Sequence, residues 1–397
     1  MAGRRRAWSI GAVGLGLLLP LAGCGGTPAD PARTEVQHLL DLRSAALLGH
    51  DETAYGTTGT RTEYTRLRAL PLASWSYLVT AVRHTSSGAT VDADLSYRVA
   101  GYDKAPVDAR RTLTLGRTAD GKWYVTADRP AVQAGQQLWD QGPVTAVKGT
   151  HSLVLGTGRT AAALRPYATL ADRAVPAVSR AWGTDWTRHV VVLVPHSLQG
   201  MAGLLGSPAS NYRGIAAVTT GEAGGSGRAP ADRVVVNPEA YAVLGDLGKQ
   251  VVLTHETTHV ATRAQTTAAT PLWLSEGYAD WIGYLGTGRT PTEAAPELTR
   301  AVQDGHPPTA LPTDKDFGFT SDPAELARAY EGGWLACRMI ADHWGTARLD
   351  AFYRAVGAHD RRAGAVEGAL KKVLGTTPEA FTAQWREYVR TQLTRTE

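Results

Sequence analysis

The sequence predicts an α+β protein with two folded parts, and two patterns carry this prediction. Apolar and polar residues alternate from Val91 to Val99, which is typical of an antiparallel strand with one buried face. Helical spacing of apolar residues precedes the strand-rich region and dominates the C-terminal third of the chain. At 397 residues, 43% of them hydrophobic and 20% charged, the chain has a globular composition and room for more than one core.

The charge balance gives no reason to expect a nucleic-acid partner. The formal net charge is +4, but three of the 41 basic residues, Arg4 to Arg6, lie in a predicted leader. The rest of the chain is almost neutral and has no basic stripe or nucleic-acid-binding signature. We therefore predict no nucleic acid among the partners.

Residues 1–23 predict a lipoprotein signal peptide. The arginines precede an apolar stretch, Ala7 to Leu21, which is shorter than the roughly 20 residues of a membrane-spanning helix. The next residues complete Leu-Ala-Gly-Cys at 21–24, which resembles a bacterial lipobox. That resemblance implies lipidation of Cys24 and an extracytoplasmic protein anchored to the cell membrane. A secreted protein with an incidental cysteine is the alternative, and both general and twin-arginine export stay open.

Residues 33–147 are predicted to form the first folded part, after a Gly/Pro/Thr tether at 24–32. A helical stripe from Val36 to Leu47 comes first. Strands are then predicted around Trp75–Val79, Val91–Val99, Leu113–Leu115 and Trp123–Val125. In its pattern alone, this order resembles the cone-shaped NTF2-like fold. No catalytic constellation stands out, which favours a spacer or recognition module.

Residues 148–397 are predicted to form the second part, which begins with strands and ends in helices. Helical spacing runs from Ala161 to Trp182 and again from Pro378 to Leu393. The predicted strands are Ser152–Leu155, Val190–Val194, Gly214–Thr220 and Arg233–Asn237.

One stretch in this part, Leu247 to Arg263, contains His-Glu-Thr-Thr-His. On a helix, His255 and His259 lie on one face and can point two imidazoles at one metal ion, with Glu256 beside them. This is the H-E-x-x-H signature of zinc peptidases. The alternative is an ordinary helix with surface histidines.

A catalytic zinc takes three protein ligands and keeps one position open for water. The metzincin pattern would place Gly and His where this chain has Thr262 and Gln265, so that class is excluded. A glutamate on a following helix is the other option. Glu276 stands seventeen residues after His259, in Trp-Leu-Ser-Glu-Gly-Tyr-Ala-Asp at 273–280.

Together these two motifs resemble the gluzincin metallopeptidases, the thermolysin-like and aminopeptidase-like clan, and above all small bacterial peptidase MA-like proteins. The resemblance covers roughly 150–397 in element order, with its specific motifs at 251–281 and more weakly at 326–340. It implies a zincin-like domain in which zinc is held by His255, His259 and Glu276.

The same resemblance implies roles for three further residues. Glu256 would be the general base, and Asp280 would orient His255 through its second ring nitrogen. Tyr330, in Ala-Tyr-Glu-Gly-Gly-Trp, would donate a hydrogen bond to the developing oxyanion. The alternatives are a surface aspartate and a core tyrosine.

The sequence therefore predicts a membrane-anchored zinc metallopeptidase acting on peptides or proteins. The aminopeptidase motif G-x-M-E-N is missing, which leaves endo- and exopeptidase activity open. A non-catalytic lipoprotein binding module on a zincin fold and a zinc hydrolase with a non-protein substrate are the alternatives. Cys337, within an apolar helical stretch, is predicted to be a packed free thiol.

Overall fold

The computed structural model describes residues 31–220, 231–318 and 322–394. The predicted leader, the lipobox with Cys24 and most of the predicted tether lie outside the described residues. Pro31 and Ala32, the last two residues of that tether, already belong to the first helix. No helix in the described ranges is both long enough and apolar enough to cross a membrane.

Three helices precede a four-stranded antiparallel sheet in the N-terminal part. The strands lie in chain order, so each pairs with its sequence neighbours. The helices are α1 Pro31–Leu48, α2 Glu52–Thr57 and α3 Thr62–Leu67, and the strands are β1 Leu72–Thr85, β2 Gly88–Val99, β3 Val107–Arg117 and β4 Trp123–Pro130.

Helix α1 covers the face of this sheet on which the apolar residues of β2 are buried. All five apolar side chains from Val91 to Val99 are at most 5% exposed, as the alternation requires. Gln37 on α1 makes hydrogen bonds to the backbone of the edge strand β1. Its side-chain amide donates to Tyr77 O at 2.7 Å and accepts from Val79 N at 2.9 Å. Arg111 is buried in this part and forms ion pairs with Asp128 and Asp140.

A second sheet has five strands in the order β5-β6-β7-β9-β8. Its central strands β6, β7 and β9 are parallel, whereas β5 and β8 run antiparallel to their neighbours. The strands are β5 Val144–Lys148, β6 Ser152–Thr157, β7 Val190–Val194, β8 Ala217–Thr219 and β9 Val234–Val236. Strand β8 is therefore an edge strand within the described residues.

Helices make up most of the rest of the chain. Helix α4, Ala161–Trp182, connects the parallel strands β6 and β7 and packs against α7. The others are α5 Leu198–Leu205, α6 Pro238–Ala242, α7 Asp246–Thr262, α8 Leu272–Tyr284, α9 Pro291–Ala294, α10 Pro296–Gln303, α11 Pro323–Trp344, α12 Thr346–Gly357, α13 Ala365–Ala369 and α14 Pro378–Thr394. Short 3-10 turns occur at Leu138–Gln141, Ala209–Tyr212, Arg263–Gln265 and Asp314–Phe317, and a π-turn at Leu370–Leu374.

Two sheets and many helices confirm the predicted α+β class. The NTF2-like assignment and the boundary near residue 148 stay predictions. Strand β5, most of which falls in the first predicted part, pairs with β6 of the second sheet. Leu153, Leu155 and Val191 from the second sheet also join the core under the first sheet. The two parts therefore share one apolar core at their junction.

Cys337 lies inside the helical core, on α11. Its side chain is fully buried, and burial raises the pKa of the thiol well above its ordinary value. A protonated thiol in an apolar core is a poor nucleophile. The structure therefore agrees with a packing role for this cysteine.

Candidate metal centre

Helix α7 carries the first three candidate residues. It runs from Asp246 to Thr262 without an interior break, so the i, i+4 relation places His255 and His259 one turn apart on one face. Glu256 and His259 are buried, at 5% and 4% exposure. The His255 side chain is 12% exposed. This face of the helix is thus largely buried, and it is most exposed to solvent at His255.

Helix α8 brings Glu276 to this face because it packs closely on both of its neighbours. A Cβ at Gly283 would lie 3.3 Å from Val251 O of α7. A Cβ at Gly277 would lie only 2.2 Å from Gly333 O of α11, closer than real Cβ atoms come. Glycines at these positions let three helices meet with their backbones almost in contact.

The side chains of His255, His259 and Glu276 converge on one point. The two histidine Nε2 atoms are 2.9 Å apart, and Glu276 Oε2 lies 3.2 Å from His255 Nε2 and 3.4 Å from His259 Nε2. Ligands of a tetrahedral zinc at its usual bond lengths stand about 3.3 Å apart. In the described ranges, no other His, Cys, Asp or Glu cluster is compact enough to hold one ion. Two nitrogens and one oxygen at this spacing fit zinc.

Asp280 occupies the outer side of His255, one turn after Glu276 on α8. Its Oδ1 lies 2.8 Å from His255 Nδ1. With the ring proton on Nδ1 and donated to this carboxylate, the lone pair of Nε2 points toward His259 and Glu276. This is the arrangement that a metal-binding imidazole requires.

The electrostatics of the cluster favour a cation. Burial opposes a charge on His255, but the carboxylates of Asp280 and Glu276 outweigh it and raise the pKa of the imidazole to about 10. For Glu276, burial acts against the charged form, yet the pKa is lowered strongly because two histidines surround the carboxylate. Two carboxylates close to two imidazoles thus leave this pocket complementary to a positive charge.

Glu256 has a partner that sequence reasoning missed. Thr219, the last residue of β8, donates its hydroxyl to Glu256 Oε2 at 2.6 Å, and the same hydroxyl lies 3.2 Å from Glu256 O. Thr219 is completely buried. Thr219 lies within the predicted strand Gly214–Thr220, but no local pattern links it to Glu256, 37 residues later on a helix.

Tyr330 lies on α11 beside the cluster. Its ring centroid is 6.4 Å from that of His255 and 5.1 Å from that of Phe317. The tyrosine is half-buried. The structure therefore brings Tyr330 to the candidate site, while its part in catalysis stays a prediction.

Glu331, the next residue, is a second group that sequence reasoning did not use. It is buried and accepts the backbone N–H groups of Glu297 and Leu298 at the start of α10. Burial raises the pKa of this carboxyl to about 7, partly offset by those two hydrogen bonds. Glu331 therefore ties α10 to the helix that carries Tyr330.

Comparisons with known proteins find similarity at the level of solved structures only. No family model and no curated protein matches the sequence. Native yeast LTA4 hydrolase is similar at 11% identity and a TM-score of 0.38, over 81% of this chain and 61% of that chain. A mutant M1 zinc metallopeptidase from Deinococcus radiodurans gives 16% identity and a TM-score of 0.34, over 82% and 62%.

A third structure is a Deinococcus radiodurans M1 zinc metallopeptidase mutant bound to a Tyr-Ser-Ala substrate. It gives 12% identity and a TM-score of 0.36, over 85% of this chain and 98% of that chain. This chain thus spans less than two thirds of the first two proteins. Identities and TM-scores this low transfer no activity, so the case for a function lies in the site itself.

Proposed function

We propose that the chain is a zinc-dependent metallopeptidase. One observation carries this proposal: His255, His259 and Glu276 converge at zinc-ligand spacing, and Glu256 follows His255 on the same helix. Three candidate ligands, one of them hydrogen-bonded to the carboxylate of Asp280, support a catalytic zinc site.

His255, His259 and Glu276 would hold the ion. Zinc in such a site lowers the pKa of water to about 7 and polarises a carbonyl group. Glu256 accepts a proton from the attacking water and passes it to the leaving amine. The phenolic hydroxyl of Tyr330 donates a hydrogen bond to the oxygen on which negative charge develops.

A peptide substrate would lie along β8, because within the described residues this strand is the edge of the second sheet that contacts Glu256. Its residue Thr219 touches Glu256, so the edge runs directly past the proposed base. An extended peptide can add to such an edge through backbone hydrogen bonds. We also propose, from the lipobox at Cys24 alone, that the enzyme is anchored outside the cytoplasmic membrane.

The test is cleavage of a diverse peptide library, read by mass spectrometry, with protein starting at Gly25. Wild type is expected to cleave, whereas Glu256→Gln and chelator-treated wild type are not. Zinc content is measured in parallel, and the Glu256→Gln protein should retain it. If wild type and Glu256→Gln both bind zinc and neither cleaves a peptide, the result favours a non-catalytic binding module or a hydrolase with a non-protein substrate. If neither binds zinc, the metal site itself is refuted.

A further inference from the structure

The β8–β9 hairpin, defined as the described residues 217–220 and 231–236, contacts the proposed base through the side chain of Thr219. Thr219 is fully buried, and its hydroxyl donates to Glu256 Oε2 at 2.6 Å. That distance is at the short end of the range for a hydroxyl that donates to an oxygen. The longer contact to Glu256 O, at 3.2 Å, is the weaker of the two.

The hairpin is itself fastened to helix α7 close to this contact. Arg263, one turn after His259, donates from Nη2 to Thr220 O at 2.7 Å and from Nε to Asp232 Oδ1 at 2.8 Å. Arg263 thereby binds both arms of the hairpin, since Thr220 follows β8 and Asp232 precedes β9. The side chains of Arg263 and Asp232 are only 18% and 15% exposed, so water weakens this ion pair less than an exposed one.

Within the hairpin, the two strand ends are also joined to each other. Thr220 N donates to Arg233 O at 2.8 Å, and Arg233 N donates to Thr220 Oγ1 at 2.9 Å. Thr219 is itself paired with Val234, and it directly precedes this doubly bonded residue pair. Its hydroxyl has little freedom to move away from Glu256.

We propose that Thr219 is a positioning residue for the general base, an inference that rests on the proposed function. By holding Oε2, its hydroxyl sets the orientation of the Glu256 carboxylate and leaves the second oxygen to face the attacking water. A buried carboxylate oxygen that loses its donor is left unsatisfied, so the carboxylate would turn toward another partner. Arg263 keeps the hairpin, and with it Thr219, at the required distance.

The experiment compares Thr219→Val with Thr219→Ser on a peptide that wild type cleaves. Valine keeps the shape and removes the hydroxyl, whereas serine keeps the hydroxyl. We expect Thr219→Val to lower kcat by about 10–100-fold, the usual loss for an orienting partner, with little change in KM or zinc content. Thr219→Ser should recover most of kcat.

Thr258→Val is the matched control. Thr258 is equally buried on α7, but its hydroxyl donates to Thr254 O of the same helix. This variant measures the cost of the same substitution without the contact to Glu256, and its kcat should stay near that of wild type. A Thr219→Val protein with wild-type kcat would overturn the inference, as would a Thr219→Ser protein as impaired as Thr219→Val.

A readout independent of turnover checks the contact itself. Melting temperatures of wild type, Thr219→Val, Glu256→Ala and the double variant form a cycle. We expect Thr219→Val to lower the melting temperature less in the Glu256→Ala background than in wild type. Additive shifts would refute the hydrogen bond. A wild type that cleaves nothing overturns the proposed function and this role with it, whereas an active wild type isolates the role of Thr219.

Discussion

At the scale of single residues, the carboxylate of Asp280 decides how His255 can act. An imidazole that donates from Nδ1 presents Nε2 as a lone pair, and Asp280 Oδ1 is the acceptor that holds it so. Because Asp280 is not one of the three candidate ligands, it can be altered without removing a ligand atom.

We predict that Asp280→Asn lowers zinc affinity about 10–100-fold while the protein stays folded. Competition with a chromophoric chelator measures this directly. Glu293→Gln, which alters an exposed carboxylate paired with Arg289, is the control and should leave the affinity unchanged. Equal affinities for Asp280→Asn and wild type would show that this aspartate does not orient the ligand.

At the scale of helices, the crossing of α8 and α11 fixes the distance between Glu276, a candidate metal ligand, and Tyr330. Gly277 and Gly333 face each other there, and a Cβ at Gly333 would lie 2.7 Å from Trp273 O. The obstacle is backbone, which cannot turn aside as a side chain can.

Gly333→Ala is therefore expected to lower the free energy of unfolding by about 1–3 kcal/mol, the usual cost of overpacking. Denaturant unfolding gives the value. Gly368→Ala on α13 is the comparison, because a Cβ there meets nothing within 4 Å and alanine favours a helix. If both substitutions prove neutral, the close crossing of α8 and α11 is not present in solution.

At the scale of the whole molecule, the N-terminal part braces the hairpin that carries Thr219. Asp103, between β2 and β3, faces Arg233, the residue immediately before β9, and its Oδ2 accepts from Arg233 Nη2 at 2.8 Å. Oδ1 lies 2.7 Å from Nη1, an ion-pair contact without hydrogen-bond alignment. The side chains are 0% and 11% exposed, so the pair is buried where the two parts meet.

Removing one charge of a buried pair leaves the other without compensation. We predict that Asp103→Asn costs about 3 kcal/mol of stability, near the lower end for such pairs. The exposed pair of Arg83 and Asp92 is the control, and Asp92→Asn should cost under about 1 kcal/mol. Chemical denaturation compares the two, and equal losses would mean that the brace contributes no more than a surface pair.

The spacing of residues along the chain was enough to predict much of the secondary structure of this protein. The alternation of apolar and polar residues predicted β2, and the absence of proline and glycine around His255 and His259 allowed the prediction of α7. Both patterns depend on backbone geometry within a few residues. The motif around Glu276 named a third ligand candidate, and the structure brings it to the histidines, although the roles of all these residues stay predictions. The lipobox at Cys24 likewise stays a prediction from sequence.

Tertiary structure alone decided which distant residues meet. The sequence around Thr219 shows only a short strand, and nothing in it points to Glu256. The contact of Gly277 with Gly333 and the pairing of Asp103 with Arg233 are equally invisible along the chain. These contacts join elements that are far apart in sequence, and they form only when the shared core and the close helix crossings set the elements side by side. Periodicity describes the face that an element buries, whereas packing determines what that face meets.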